Sequence, residues 1–211
     1  WREADADRLT NAPGLMFTDS HCHLSFPELA QNLPAIREAM RVAEVTRALC
    51  ISTTLEEFDA VHALALAHDN FWATAGVHPD NEGVREPRLD DLLRVVGIGE
   101  TGLDYYRLNG RSVADMAWQR KRFRTHIRAA RQLGKPLVIH TRASSADTLA
   151  ILKEEGEDGS AGSAGGVFHC FTETDAVARA ALDAGFYISL SGIITFKNAQ
   201  DLRDIAGWVP L

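Results

Sequence analysis

Cysteine is scarce in this sequence: Cys22, Cys50 and Cys170 are the only three in 211 residues. Three is an odd number and too few for a disulfide framework, so the count suits a reducing compartment such as the cytoplasm. No apolar run approaches the roughly 20 residues that a membrane-spanning helix requires. The opening stretch, Trp1 to Gly14, is polar and acidic, without the basic and apolar regions of a secretory signal. No G-x-G-x-x-G or P-loop sequence follows a strand-like run, which argues against a nucleotide cofactor. No internal repeat is visible. Positive charge is also in deficit, with 22 Lys and Arg against 29 Asp and Glu and a net charge of −7. That balance alone argues against a nucleic-acid binder.

What is present is an ordinary globular composition, 45% hydrophobic and 24% charged, in a chain long enough for one domain with a sizeable core. "MFTDSHCHL" from Met16 reads as a natural start, so residues 1–15 are taken as an extension or expression remnant and 16–211 as the domain. Short apolar runs at Leu15–Thr18, Arg47–Ile51, Phe71–Gly76, Val95–Gly99, Pro136–His140, Gly166–His169 and Phe186–Leu190 predict strands. Amphipathic stretches at Leu33–Ala43, Leu55–His68, Leu89–Arg94, Ala117–Leu133, Ala146–Lys153 and Thr174–Ala184 predict helices between them. Gly134 in "QLGKP" and Gly185 in "DAGF" mark helix ends. The glycine-rich stretch Gly156 to Gly166 reads as a flexible surface loop. Strand and helix in alternation imply parallel strands with right-handed crossovers. Polar clusters close nearly every strand: "DSHCH", "GVHPD", "GETGLD", "VIHTR", "FHCFTE" and "ISLSG". An open sheet gathers its functional groups at one switch point, whereas a TIM (β/α)₈-type barrel spreads them over many strand ends. The pattern therefore predicts the α/β barrel.

The histidines carry the chemistry. His21 and His23 are two positions apart, so in a strand they share a face. Such a pair is metal-chelating, an active-site pair or an accident, and it does not decide alone. His78, Glu100, His140 and His169 join it at the ends of other strands. One such histidine is commonly structural; four strands sending imidazole or carboxylate to one rim point to a metal site. Imidazole with carboxylate suits Zn, Mn, Fe or Mg, and a carboxylate can bridge two ions. Two such ions about 3.5–4 Å apart form a clamp for phosphoester hydrolysis. His62, His68 and His126 fall within helical patterns and read as surface or packing residues. Cys22 and Cys170 alternate with site histidines and should point away.

Together "DSHCHL", "GVHPD", "GETGLDYY", "KPLVIHTR", "HCFTE" and "ISLSGIITFKNA" resemble the TatD family of metal-dependent deoxyribonucleases, in order from Phe17 to Leu211. The resemblance implies a cytoplasmic TIM-barrel hydrolase with two divalent metal ions (Mg, Mn or Zn). It also implies cleavage of ester bonds in DNA, single strands or 3′ ends, as a 3′ exonuclease. On the matching positions, His21 and His23 would hold one metal, His140 and His169 the other, and Glu100 would bridge them. Glu100, His140 and His169 would then be the catalytic set. His78, Asp104, Arg142, Ser191 and Lys197 would contact phosphate or support the ligands, although Asp104 could merely brace a loop and Ser191 cap one. Glu173 replaces a small residue of the family pattern. The family's eighth strand and its aspartate lie beyond Leu211, so the barrel is expected to lack that strand. A polypeptide truly ending there is expected to be poorly active and to hold at most one metal firmly; the alternative is that the true polypeptide is longer.

From Arg107 to Arg131 eight basic residues face the single acid Asp115. Either the stretch is a solvated helix face, or Arg107 and Arg111 reach the active rim and meet a polyanion. Two further functions remain open: a deacylase acting on D-aminoacyl-tRNA from the same site, and a non-catalytic barrel that only binds metal or partners.

Overall fold

A computed structural model describes residues 16–210; the extension assigned to residues 1–15 lies outside them. Seven parallel strands run in sequence order through one sheet: β1 (Phe17–Cys22), β2 (Val45–Cys50), β3 (Phe71–Ala75), β4 (Gly97–Asp104), β5 (Leu137–Arg142), β6 (Gly166–Phe168) and β7 (Phe186–Ile188). The sheet curls into an open barrel covered outside by helices. These are α1 (Pro27–Ala30), α2 (Leu33–Val42), α3 (Phe58–Leu66), α4 (Ala117–Leu133), α5 (Ser145–Glu154), α6 (Asp175–Asp183) and α7 (Gln200–Ala206). The described residues contain no eighth strand, as expected from the family pattern. β1 and β7 share no backbone ladder, but their tips meet where Ser20 Oγ lies 2.9 Å from Ser189 Oγ. No helix among the described residues is long and apolar enough to cross a membrane.

Two apolar clusters hold the sheet. In the larger one Phe123, Ile127 and Ala130 of α4 are wholly buried with Ile98 and Leu103 of β4 and Leu137 and Ile139 of β5. Removing such side chains from water is worth about 1.5–3 kcal/mol each. The smaller cluster packs Cys22, Cys50, Ala48, Phe71 and Ala73 with Val61 of α3. Cys22 points into this core, as alternation requires, with its thiol donating to Leu49 O at 3.3 Å.

Strand tips depart from the sequence reading. β1, β4 and β5 continue two to five residues past their apolar runs, through Cys22, Asp104 and Arg142. Their polar tips are held extended by neighbours on the ladder, such as Asp104 opposite Arg142. The helix expected at Leu89–Arg94 is only a 3₁₀ turn, Leu89–Leu92. Asp91 there turns back to accept the Arg88 N–H at 2.9 Å and pairs with Arg85, which favours a cap over a continuing helix. The β3–β4 crossover is therefore mostly loop. The stretch Gly156 to Gly166 is not free either. Glu157, 1% exposed, accepts the N–H groups of Ala164 and Gly165 at 2.9 and 3.0 Å and pairs with Arg131 at 3.2 Å.

Helix ends follow the glycines. Gly134 closes α4 in the left-handed conformation, φ 61° and ψ 39°. Gly102 matters more to the site. It sits at φ 128° in β4, and a Cβ there would collide with the His140 carbonyl oxygen of β5. Gly102→Ala is therefore expected to cost at least ~3 kcal/mol and to push His140 off the rim. Urea unfolding monitored by circular dichroism checks this, and a midpoint equal to the parent's contradicts it.

Candidate metal centre

Four strands and one loop deliver polar side chains to the carboxyl end of the barrel, in a cleft of about 940 Å³. Glu100 of β4 is at its centre and is 3% exposed. Its Oε1 lies 2.8 Å from His169 Nε2, 3.1 Å from His140 Nδ1 and 3.3 Å from His78 Nε2. Its Oε2 lies 3.2 Å from His21 Nε2 and 4.0 Å from His23 Nε2. Burial pushes the Glu100 carboxyl upward, but the adjacent imidazoles of His140, His169, His21 and His78 outweigh it and hold it well below the usual range. The group is thus a carboxylate with its charge balanced by imidazoles.

The imidazoles differ. His140 is buried, which lowers its pKa, but it lies between two carboxylates: Glu100 at Nδ1 and Asp104 Oδ2 at Nε2, 3.0 Å. Both of those partners can only accept, so both ring nitrogens are favoured as donors. The pKa rises from 6.5 to about 9. His169 goes the other way; burial lowers it to about 4. Burial likewise lowers His23. At neutral pH the cluster therefore holds an imidazolium at His140 and a neutral ring at His169.

Two donor groups share Glu100. His21, Glu100 and His169 form one, and His78, Glu100 and His140 the other, each with its ligand atoms within 4.8 Å of one another. The rings of His21 and His169 stack at 3.8 Å. This grouping differs from the pairs implied by the resemblance. His78 stands among the donors rather than at the margin, because the residues that directly follow β3, His78, Asp80 and Asn81, line the cleft. His23 Nε2 is 3.2 Å from His21 Nε2, on the shared face, yet outside both groups.

The other predicted residues spread outward. Asp104 braces both His140 and the following loop, since its Oδ1 accepts the Tyr106 N–H at 2.9 Å. Ser191 lines the cleft and caps the turn Gly192–Thr195 by accepting the Ile193 N–H. Arg142 is exposed and lies over the Tyr106 ring. Lys197 is exposed and absent from the cleft lining. Cys170 does not point away: β6 ends at Phe168, so strand alternation stops, and Cys170 lines the cleft with Sγ 3.1 Å from Ser191 Oγ.

The basic stretch is mostly neutralised within the fold. Arg111 pairs with Glu82, Arg120 with Asp147, Arg122 with Glu86, Arg124 with Glu154 and Glu155, Arg128 with Glu155 and Arg131 with Glu157. The helix does not simply face solvent, because α4 packs beside the acidic end of α5. Three α4 residues reach the site from below: Gln119, Arg122 and His126, spaced to share one face. Gln119 clamps the Asp104 backbone, accepting its N–H at 2.9 Å and donating to its carbonyl at 3.1 Å. Arg122 donates to the carbonyls of His78 and Asn81 at 3.1 and 2.7 Å. His126, held neutral by burial, accepts the Val77 N–H at 3.2 Å and donates to Arg122 O. A buried arginine in a basic run is invisible to composition; the hint was its helical spacing from His126.

A model of the TatD related DNase family matches residues 18–211. The chain belongs to the TatD family. It is 41% identical to the uncharacterized metal-dependent hydrolase YcfH of Escherichia coli K12, over 93% of this chain and 74% of that protein. It is 32% identical to the 3′-5′ ssDNA/RNA exonuclease TatD of Cronobacter sakazakii, over 81% of this chain and 65% of that one. The solved structure of YJJV, a TatD homologue from Escherichia coli K12, superposes with TM-score 0.80 at 26% identity, covering 92% of this chain and 75% of that one. The chain is thus a metal-dependent hydrolase of this family.

The residues present fit divalent cations. His21 Nδ1 and both ring nitrogens of His169 are buried without a hydrogen-bond partner among the described residues; His169 Nε2 is close to Glu100 but lacks hydrogen-bond geometry. Such orphaned groups cost about 1–3 kcal/mol each, which a coordinate bond to Nε2 would recover in part. Coordination needs a neutral imidazole, so metal must displace a proton from His140. Below about pH 9, binding of a divalent ion to the His140 group is expected to release about one proton. Apparent affinity should rise with pH up to that point. Calorimetric titration of Mn²⁺ at neutral pH in buffers of different ionisation enthalpy measures the release; heat independent of buffer would show that His140 is already neutral or is not a ligand.

Arg122→Ala leaves Glu86 and two carbonyls without a partner. It is expected to lower activity about 10-fold or more, in the range seen when supports of ligands are lost. Arg122→Lys, which cannot reach all three acceptors at once, should recover only part. Steady-state hydrolysis by folded variants tests this, and wild-type turnover in Arg122→Ala would mean the His78 loop holds without it.

Proposed function

We propose that this TatD-family hydrolase cleaves phosphodiester bonds in DNA, removing nucleotides from 3′ ends, with two divalent ions held by His21, His23, Glu100, His140 and His169 and assisted by His78. The carrying observation is the single buried carboxylate, Glu100, shared between two sets of imidazole donors at the floor of an open cleft. A pair of divalent cations bound there supplies Lewis acidity to a phosphoryl oxygen and lowers the pKa of water. The naming of one relative as a ssDNA/RNA exonuclease supports nucleic acid as the substrate class.

The chain's own residues do the positioning. Glu100 carries the negative charge that lets cationic groups gather in a buried place. Asp104 Oδ2 accepts the Nε2–H of His140 and so fixes the ring with Nδ1 directed at Glu100. α4 holds the backbone on either side of His78. Arg107, which follows β4 and has no acidic partner among the described residues, and Arg142 at the tip of β5 would offer cationic charge to the phosphates flanking the scissile bond.

Replacing Glu100 with Gln keeps the shape and removes the shared charge. Hydrolysis of a single-stranded oligonucleotide should fall by at least ~100-fold, the upper end of what is lost even with outer supports of a metal ligand. The experiment follows cleavage of 5′-labelled strands with Mg²⁺ or Mn²⁺, in parallel with hydrolysis of a D-aminoacyl-tRNA. Stepwise shortening from the 3′ end by the parent, lost in Glu100→Gln, is expected. Release of the amino acid alone, with the strand intact, would overturn the nuclease reading in favour of ester hydrolysis.

A further inference from the structure

We propose that Tyr106 and Arg142 form a stacking platform for an unpaired nucleobase at the lip of the metal centre; the proposal deepens the nuclease reading above and rests on it. Tyr106 follows β4 and is 62% exposed, unusual for so large an aromatic side chain. The Arg142 guanidinium lies 3.8 Å from its ring centroid. One face of the ring is therefore covered by a cation and the other is open to solvent.

Stacked Arg–Tyr pairs are common on protein surfaces, so position decides. Arg142 is two residues past His140 on β5, so the two share a strand face. It stands opposite Asp104 in the β4–β5 ladder. Asp104 meanwhile holds His140 with one oxygen and the Tyr106 backbone with the other. Tyr105 N–H donates to Arg142 O at 2.9 Å, tying the two strand tips together. The platform is thus joined to a candidate metal ligand through one carboxylate.

Charge points to the same occupant. Most of the cations between Arg107 and Arg131 are paired with acids, whereas Arg107 and Arg142 have no acidic salt-bridge partner among the described residues. An exposed aromatic face, a guanidinium in its plane of stacking and uncommitted positive charge are the recurrent parts of single-strand binding sites. A duplex hides its base faces, so this platform selects unpaired ends.

The test compares two 5′-labelled strands, an oligothymidylate and the same backbone carrying abasic residues, by fluorescence anisotropy with chelator-treated protein. The parent should bind the thymidylate roughly 5-fold or more tighter than the abasic strand, as expected for one stacked base. Tyr106→Ala should remove that preference and leave abasic binding unchanged, while Tyr106→Phe should keep it. Equal loss on both strands, an unchanged preference in Tyr106→Ala, or no preference in the parent would overturn the platform. Metal-loaded cleavage separates the two readings. Stepwise hydrolysis without Tyr106-dependent binding sinks the platform alone, and Tyr106-dependent binding without hydrolysis sinks the nuclease reading alone.

Discussion

A carboxylate buried at the mouth of a barrel constrains everything around it. An ionised group withdrawn from water is costly unless it is paired and hydrogen-bonded. Glu100 meets that condition by drawing imidazoles from β1, from the β3–β4 loop, from β5 and from the end of β6. The parallel sheet makes this possible. All its strands point the same way, so their carboxyl ends converge on one rim. The same constraint divides the histidines into unlike states. His140, caught between Glu100 and Asp104, keeps a proton to about pH 9, whereas His169, facing Glu100 from a buried place, loses its own near pH 4. An array that must balance one negative charge cannot protonate every ring. Of His140 and His169, it is the ring with a second carboxylate that keeps its proton at neutral pH.

The lack of a helix between β3 and β4 creates a second demand. A long loop at the mouth of a cleft is ordinarily mobile, yet here it carries His78. The fold answers with α4, the longest helix. Its outer residues pair with acids of α5 and the loop after it. Its inner stripe of Gln119, Arg122 and His126 provides donors and acceptors to the backbone at Asp104, His78 and Val77. Backbone contacts of this kind fix a loop without specifying its side chains. His126 must be neutral to accept from Val77, and full burial keeps it so. The helix therefore supports the site from beneath while its apolar face, Phe123 and Ile127, anchors the core. One element does both because helical spacing separates the two faces.

Much of this was legible in the residues. Alternating apolar runs and amphipathic stretches gave the seven strands in their order, and H-x-H with the strand-end motifs located the cluster. Legibility failed where an interaction at long range overrides a local pattern. Glu100 to Asp104 looks too polar for a strand, but pairing with β5 keeps it extended. Leu89–Arg94 has a helical pattern, but Asp91 is bound to Arg85 and Arg88 N–H, so the turn stops. Cys170 obeys strand alternation only on paper, because β6 ends two residues before it. The glycine-rich stretch around Gly156–Gly166 has the composition of a loose loop, and one buried carboxylate, Glu157, gathers it. Arg122 reads as surface charge until its partners are known. In each case a specific tertiary or capping contact, or the end of a strand, decides the local state against the local pattern.

The same rule governs how charge acts on a substrate. A chain of net charge −7 does not steer a polyanion from afar, and its basic stretch adds little because most of its arginines are already paired. Screening by salt therefore relieves a general repulsion while it weakens the few local contacts. These two effects oppose each other, unlike the case of a uniformly basic surface, where salt only weakens binding. Recognition under the proposed function would then come from what is close: cations without acidic salt-bridge partners and the donors in the cleft. Short-range contacts reward a strand end that can enter the cleft, and a long duplex lying across the acidic exterior gains nothing from them. Under the proposed function, an acidic protein would in this way act on an acidic polymer and still discriminate its ends from its length.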